Sequence, residues 1–183
     1  HRHEMSMLRR ADKISTVSTP QKHAILGELA VVGRLGRLTF DYDFTTVIPA
    51  ALDSHFHRLG AGERAKPAPA LEGGPPPFHV LWCGGFNPWT DVNLLFNALQ
   101  QAMQQLPELR FIATGGPVVG HDEKTYERFK QLVRESDAAD RYELRGWIPA
   151  AEVDSLLMSC DLGINIDSKN NETIFGARNR INT

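Results

Sequence analysis

The stretch "VLWCGGFNPWTDVNLLFNAL", residues 80–99, decides the fold class. Its first residues form a continuous apolar run, as in a strand that is buried on both faces. Two glycines follow, and apolar residues then recur at the three- and four-residue spacing of an amphipathic helix. The pattern predicts a strand, a tight turn and a helix, which is the repeating unit of an α/β protein.

The residues that follow repeat this alternation of strands and helices. Further buried strands are predicted in "LRFIATGG", "YELRGWI" and "DLGINID", and helices in "DEKTYERFKQLVRESD" and "PAAEVDSLLMSC". Thr90 is a candidate N-cap for the first helix, and Pro107 is positioned to end it. Because strands alternate with helices across short loops, we expect an α/β protein with a Rossmann-like, doubly wound parallel sheet.

The residues before this region predict two smaller pieces. Short strands are expected at residues 13–17 and 45–48, with a helix between them that Ser18 or Thr19 can cap. The stretch "LGAGERAKPAPALEGGPPP" has the composition of a linker. The chain begins without Met and ends in "ETIFGARNRINT", the opening of a helix, so we expect part of a longer protein.

The composition of the chain limits the classes of function that it can have. The 183 residues are 42% hydrophobic and 23% charged, with a formal net charge of -2, which is enough for one core and an extra piece. This near-neutral charge gives no reason to expect nucleic acid as a partner. Cys83 and Cys160 lie in apolar surroundings that favour free thiols over a disulfide, and with no signal peptide this favours the cytoplasm. No apolar run approaches the roughly 20 residues that cross a bilayer.

In such a sheet, ligands bind beyond the carboxyl ends of the strands. There, Gly84 and Gly85 precede a helix, so their backbone N–H groups and the helix dipole can meet a phosphate. A purely structural turn is the alternative for this pair. The segment has neither GxGxxG nor GxxxxGK[ST], which disfavours a classical NAD site and a P-loop. His55 and His57 have no third ligand in sight, so we predict no metal site.

Residues 78–181 resemble the C-terminal, nucleotide-sugar-binding domain of the group 1 (family 4) glycosyltransferases of the GT-B fold. The matching pieces, in order, are "VLWCGGFNPWTDVNLLFNAL", "PELRFIATGGPVVGHDEKTYERF", "ADRYELRGWIPAAEV", "DLGINID" and "ETIFGARNRI". The resemblance implies the end of an N-terminal, acceptor-side domain at 1–48, a crossing and linker at 49–77, and a nucleotide-sugar-binding domain at 78–183, truncated at its C-terminus.

The resemblance also implies an activity. Such enzymes transfer a sugar from a nucleoside diphosphate sugar with retention of configuration, without a cofactor or a bound metal. We therefore expect a cytoplasmic hexosyltransferase-like enzyme of polysaccharide biosynthesis, and its acceptor is an unknown glycan, lipid or small molecule. Peripheral membrane association of the full-length protein is consistent with the family. This chain alone, without the remainder of its own protein, is expected to be inactive.

The family's basic clamp on the diphosphate is absent here. Phe86 stands where Arg is common, and residues 89–91 stand where Lys is usual. Backbone N–H groups from Gly85 to Asn87, the Thr90 hydroxyl, or Arg178 and Arg180 are candidates to replace it. Trp89 is a candidate to stack on a donor or acceptor ring, or else packs beside Pro88.

Other positions follow the family pattern less closely. Glu172 is the candidate catalytic, donor-side glutamate, or else a helix-start residue capped by Asn170 or Asn171, and Arg180 stands where a second glutamate is usual. Trp147 and Ile148 would line the base pocket, with a core position as the alternative for Trp147. The residues assigned to the nucleotide sugar are Gly84, Gly85, Phe86, Asn87, Trp89, Thr90, Gly115, Gly116, Trp147, Ile148, Glu172, Thr173 and Arg178.

Two other functions remain open from the sequence. A non-catalytic binding or scaffold domain of the same fold is favoured by the missing basic clamp. A dinucleotide-dependent oxidoreductase is disfavoured by the missing GxGxxG. For Gly115 and Gly116, a structural turn is the alternative to a place beside the donor.

Overall fold

The computed structural model describes residues 2–49 and 75–175. These residues form two compact units. The small unit contains residues 2–49 and 169–175, and the large unit contains residues 75–168. The linker predicted within 49–77 falls mostly outside the described residues, and the domain ranges stay a prediction.

The small unit begins with a two-stranded parallel sheet and two helices. Its first elements are α1 (Arg2–Leu8), β1 (Ile14–Thr16), α2 (Thr19–Val31) and β2 (Thr45–Val47). Leu8, Leu29 and Phe44 form its buried core. The Ser18 hydroxyl accepts a hydrogen bond from the Gln21 N–H at 3.3 Å, so the predicted cap of α2 is confirmed for Ser18.

The large unit is a four-stranded parallel sheet in the order β5-β4-β3-β6. Its elements are β3 (Phe78–Cys83), α3 (Val92–Gln105), β4 (Leu109–Thr114), α4 (Lys124–Arg134), β5 (Tyr142–Gly146), α5 (Ala150–Ser159) and β6 (Leu162–Gly163). The predicted parallel α/β architecture is confirmed. The register of β4 and β5 shifts by one residue beyond Ala113, where Thr114 pairs with Gly146.

Alternation along β3 places apolar side chains on both faces of the sheet. Val80 and Trp82 belong to the larger core, which also contains buried residues of α3, β4 and α4. Leu81 and the partly buried Cys83 belong to the opposite core, with Ile112. This two-sided burial is the physical reason for the continuous apolar run in the sequence. Cys83 and Cys160 are free thiols, as expected.

The last strand is shorter than the sequence predicts. "DLGINID" was expected to be one strand, but β6 is only Leu162–Gly163. The Asp91 N–H donates to the Ile166 carbonyl at 3.4 Å, and the Ser168 N–H donates to the Trp89 carbonyl. Beyond β6, the chain therefore forms hydrogen bonds with the loop before α3 instead of extending its pairing with β3.

The N-cap of α3 is Asp91, so the prediction of Thr90 is wrong by one residue. The Asp91 carboxylate accepts a hydrogen bond from the Leu94 N–H at 2.9 Å. We expect Asp91→Ala to lower the free energy of unfolding by about 1 kcal/mol, because an N–H of the first turn loses its acceptor. Urea denaturation measures this, with exposed Asn93→Ala in the same helix as control. Equal losses in the two variants would contradict the assignment.

No helix within the described ranges is long and apolar enough to cross a membrane. The last described element, α6 (Asn171–Phe175), belongs to the small unit and contacts α2.

Candidate functional site

The carboxyl ends of the central strands turn on glycine. Gly84 and Gly115 directly follow β3 and β4, with φ of 145° and 93°, a conformation that side chains rarely adopt. The Gly84 N–H donates to the Thr114 carbonyl at 3.0 Å, and the Gly115 N–H donates to the Gly146 carbonyl at 2.6 Å. A Cβ on Gly115 would lie 2.2 Å from the Gly84 oxygen. The turns after β3, β4 and β5 therefore form one tightly joined layer.

Phe86 belongs to the core, which corrects its assignment to the nucleotide sugar. Its ring is fully buried and stacks on Trp82 and Phe129, with centroids 5.1 and 5.2 Å away. Its N–H donates to the Gly116 carbonyl at 3.0 Å and is therefore not available to a ligand. Phe86 thus stabilises the glycine turn by packing in the core.

Trp147 lies across the two glycine loops. A Cβ built on Gly85 would come within 3.2 Å of its six-membered ring and 3.0 Å of the Val118 side chain. A Cβ on Gly116 would lie 3.5 Å from its indole nitrogen, which donates to the Pro117 carbonyl at 3.2 Å. The side chain is 61% exposed, so the alternative of a core tryptophan is wrong. A side chain at position 85 would therefore require the Val118 and Trp147 side chains to shift by a few tenths of an ångström.

The Gly85 N–H donates no hydrogen bond to any residue within the described ranges. Among the backbone N–H groups of residues 85–87, which were predicted to meet a phosphate, it is the one that the loop itself does not use. Ile148 is partly buried and packs with Leu81, Ile112 and Leu156 in the opposite core, and its place in the base pocket stays a prediction.

The loop before α3 is held by its own polar groups. The Asn87 amide oxygen accepts from the Trp89 N–H at 3.0 Å. The Thr90 hydroxyl is buried and accepts from the Asn87 N–H at 3.5 Å, so it acts within the loop instead of facing a ligand. Trp89 is 40% exposed, and its ring remains a candidate for stacking.

The predicted glutamate belongs to the other unit. Glu172 is in the first turn of α6, which is in the small unit, whereas the glycine turns are in the large unit. The Asn170 side chain accepts from the Thr173 N–H at 2.9 Å, so Asn170 is the cap of this helix. Arg178 and Arg180 lie outside the described residues. The roles of Glu172, Thr173 and Arg178 stay predictions.

The charges near the glycine turns are mostly committed to local contacts. Residues 84–90 and 115–121 contain no Lys or Arg, and Arg145 pairs with Glu143 at 2.8 Å. Burial raises the pKa of the Asp122 carboxyl, but hydrogen bonds from Thr125 and Lys124 outweigh it, and the net pKa lies below its usual value. Within residues 2–49 and 75–175, no group of three or more His, Cys, Asp or Glu could hold a metal ion.

Comparison with known proteins identifies the fold. No protein-family model matches the chain, and no curated protein matches its sequence. A crystal structure of TarM is similar over 90% of this chain, at 12% identity and a TM-score of 0.55. A complex of an S. aureus TarM mutant with Fondaparinux, alpha-GlcNAc-glycerol and UDP matches equally well. Anabaena Alr3699/HepE in complex with UDP and glucose matches over 91%, at 20% identity and a TM-score of 0.57.

The chain spans only 27%, 28% and 41% of the lengths of these three structures. TarM and HepE are glycosyltransferases of the GT-B fold. The parallel sheet, its flanking helices and this likeness show that the chain has the Rossmann-like fold of the C-terminal domain of a GT-B glycosyltransferase.

Proposed function

We propose that the chain is the donor-binding part of a glycosyltransferase that uses a nucleoside diphosphate sugar. One observation carries the proposal: the joined glycine turns present the unused Gly85 N–H beside the exposed ring of Trp147. A backbone donor suits a phosphate oxygen, and an exposed indole suits a flat ring such as a base. Two of the similar structures contain UDP, which supports the same ligand class for this site.

The charge of the diphosphate needs more than the glycine turns. The start of α3 is occupied by the Asp91 carboxylate, which satisfies the Leu94 N–H and opposes a second anion there. We therefore assign the remaining charge compensation to basic residues elsewhere, with Arg178 as the first candidate. Glu172 is the proposed donor-side carboxylate. Transfer would retain configuration and proceed without a metal, to an unknown glycan, lipid or small-molecule acceptor.

A binding or scaffold domain of the same fold is the second candidate. It is favoured by the absence of Lys and Arg from residues 84–90 and 115–121. The Trp147 and Val118 side chains point the same way, because they lie against the position that a Cβ on Gly85 would take and leave little room on that side of the turn. Neither observation favours an oxidoreductase.

Thermal unfolding of the full-length protein tests the choice. We expect one nucleoside diphosphate among UDP, GDP, ADP and dTDP to raise the melting temperature by several degrees, because ligand at about 100 times its Kd adds about 2.7 kcal/mol. EDTA should leave this shift unchanged, and NAD should give none. A flat response to all nucleotides in a folded protein would favour the scaffold domain instead.

A further inference from the structure

Two segments of the small unit meet at the amino end of its sheet. Residues 9–13 lead into β1, and residues 32–44 lead into β2. The Arg34 guanidinium joins them, because it donates to the carbonyls of Leu8 and Ala11 at 3.1 and 3.0 Å. We propose that the exposed surface at this end, the amino-end patch, binds an anionic lipid bilayer. The amino-end patch consists of Arg9, Arg10, Arg37, Leu38 and Phe40.

Leu38 and Phe40 project from a loop that is fixed by its own hydrogen bonds. The Thr39 hydroxyl donates to the Arg34 carbonyl at 2.7 Å and accepts from the Gly36 N–H at 3.0 Å. Leu38 is nevertheless 100% exposed and Phe40 is 88% exposed, and other residues form the core of this unit. An apolar side chain that is exposed to water gains free energy when a partner buries it. The loop therefore presents two such side chains to a partner.

Positive charge accompanies the two apolar side chains. Residues 9–13 and 32–44 contain five Lys and Arg against three Asp, and one of the three, Asp43, pairs with Lys22 at 3.5 Å. Guanidinium groups bind phosphate oxygens through paired N–H donors. A groove of about 360 Å³ on α1 is lined by Arg2, Met5, Ser6, Arg9 and Arg10. The patch and this groove can therefore hold the phosphates of lipid headgroups.

The distribution of charge along the chain agrees with an anionic partner for this unit. Residues 2–49 contain seven Lys and Arg against five Asp and Glu, whereas residues 75–168 contain seven against thirteen. The first range is thus the positive part of a chain whose formal net charge is -2. A charge asymmetry of this kind indicates contact with an anionic surface such as a membrane or a nucleic acid.

A bilayer fits the amino-end patch better than a nucleic acid or another protein does. Nucleic acid offers phosphates to the arginines but no apolar phase for Leu38 and Phe40. Protein interfaces bury their apolar anchors in pockets and are depleted of charge at the centre. The acyl boundary of a bilayer accepts Leu and Phe side chains while Arg stays at the headgroups. The carboxyl ends of β1 and β2, the end where parallel α/β sheets bind ligands, remain free.

Vesicle flotation of the full-length protein tests the proposal. We expect binding to phosphatidylcholine vesicles that contain about a third phosphatidylglycerol, and about tenfold weaker binding to phosphatidylcholine alone. The variant Leu38→Ser/Phe40→Ser should bind the anionic vesicles about tenfold more weakly, because both apolar side chains are lost from the acyl boundary. Arg9→Gln/Arg10→Gln should weaken binding about as much, because each cation near the surface adds to the attraction.

Two matched variants make the same kinds of change in the large unit. Arg128→Gln/Arg134→Gln removes two exposed arginines from α4, and Leu106→Ser removes a 42% exposed leucine just after α3. Both should bind the anionic vesicles as the wild type does. All four variants change exposed side chains and should fold, which circular dichroism checks. The two variants of the amino-end patch should also keep the thermal shift with a nucleoside diphosphate, because vesicle binding and nucleotide binding use different surfaces.

Several results would overturn the bilayer assignment while the nucleotide test of the proposed function stands separately. They are a folded wild type that binds no anionic vesicle, equal binding to both kinds of vesicle, and equal losses in the two arginine pairs. Normal vesicle binding by Leu38→Ser/Phe40→Ser would also overturn it, and a changed elution volume of that variant in gel filtration would then identify a protein contact. A pair variant that does not fold is replaced by Leu38→Ser or Arg10→Gln alone, with about threefold weaker binding expected.

Discussion

Gly115→Ala is expected to lower the free energy of unfolding by about 3 kcal/mol or more. The added Cβ would lie 2.2 Å from the Gly84 oxygen and 2.4 Å from its carbonyl carbon, and both atoms are backbone that cannot rotate away. The residue also has φ of +93°, which strains any side chain. The turns after β3 and β4 would have to separate, and the hydrogen bond from Gly115 to Gly146 would weaken. Urea denaturation followed by circular dichroism measures the loss.

Gly120→Ala is the matched control for this prediction. Gly120 also has a positive φ, +79°, but a Cβ there would meet nothing within 4 Å. Its cost should be limited to backbone strain, about 1–2 kcal/mol. A similar loss in both variants would mean that the clash at Gly115 relaxes, and the layer of joined turns would then be looser than described.

Phe86→Ala is expected to cost about 3–5 kcal/mol, the range for deletion of a buried phenyl ring. The ring is fully buried among Trp82, Tyr126 and Phe129, with centroids 5.1 to 5.2 Å away. Its loss leaves a cavity directly below the glycine turn, so nucleotide binding should weaken along with stability. Urea denaturation gives the first quantity and calorimetric titration the second.

Phe40→Ala is the matched control, because it makes the same Phe→Ala change at a residue outside the core. Phe40 is 88% exposed, so its truncation should change stability by no more than about 0.5 kcal/mol. If Phe86→Ala were as mild as Phe40→Ala, the assignment of Phe86 to the core would fail. The possibility that it faces a ligand would then return.

The strands and helices that could be predicted are those whose pattern of apolar residues lies within one short stretch of the sequence. The run "FHVLWC" is apolar at every position except His79 because both faces of β3 are covered, and α3 has apolar residues at helical spacing because one side packs on the sheet. Such patterns need only the neighbours along the chain. The β6 prediction was wrong because its length depends on hydrogen bonds between residues 166–168 and the distant loop at residues 89–91.

The lining of the candidate site could be predicted only in part. Phe86 follows two glycines, and nothing local distinguishes a ring that faces a ligand from one that packs on Phe129, far along the chain. Thr90 and Asp91 are both good caps, and the pairing of Thr90 with Asp167 leaves the cap to Asp91. No pattern in the sequence indicates the position of Val118 beside Gly85, because loop residues have no periodicity from which a contact can be predicted.

The shifted register between β4 and β5 lies at the carboxyl end of β5, just before Trp147. One residue, Arg145, is extra in β5 where Ala113 pairs with Leu144 and Thr114 with Gly146. Gly146, which follows the extra residue, accepts a hydrogen bond from the Gly115 N–H and has φ of 68°, a conformation that side chains rarely adopt. The direction in which the chain enters residue 147 therefore depends on a glycine and not on the alternation of the strand.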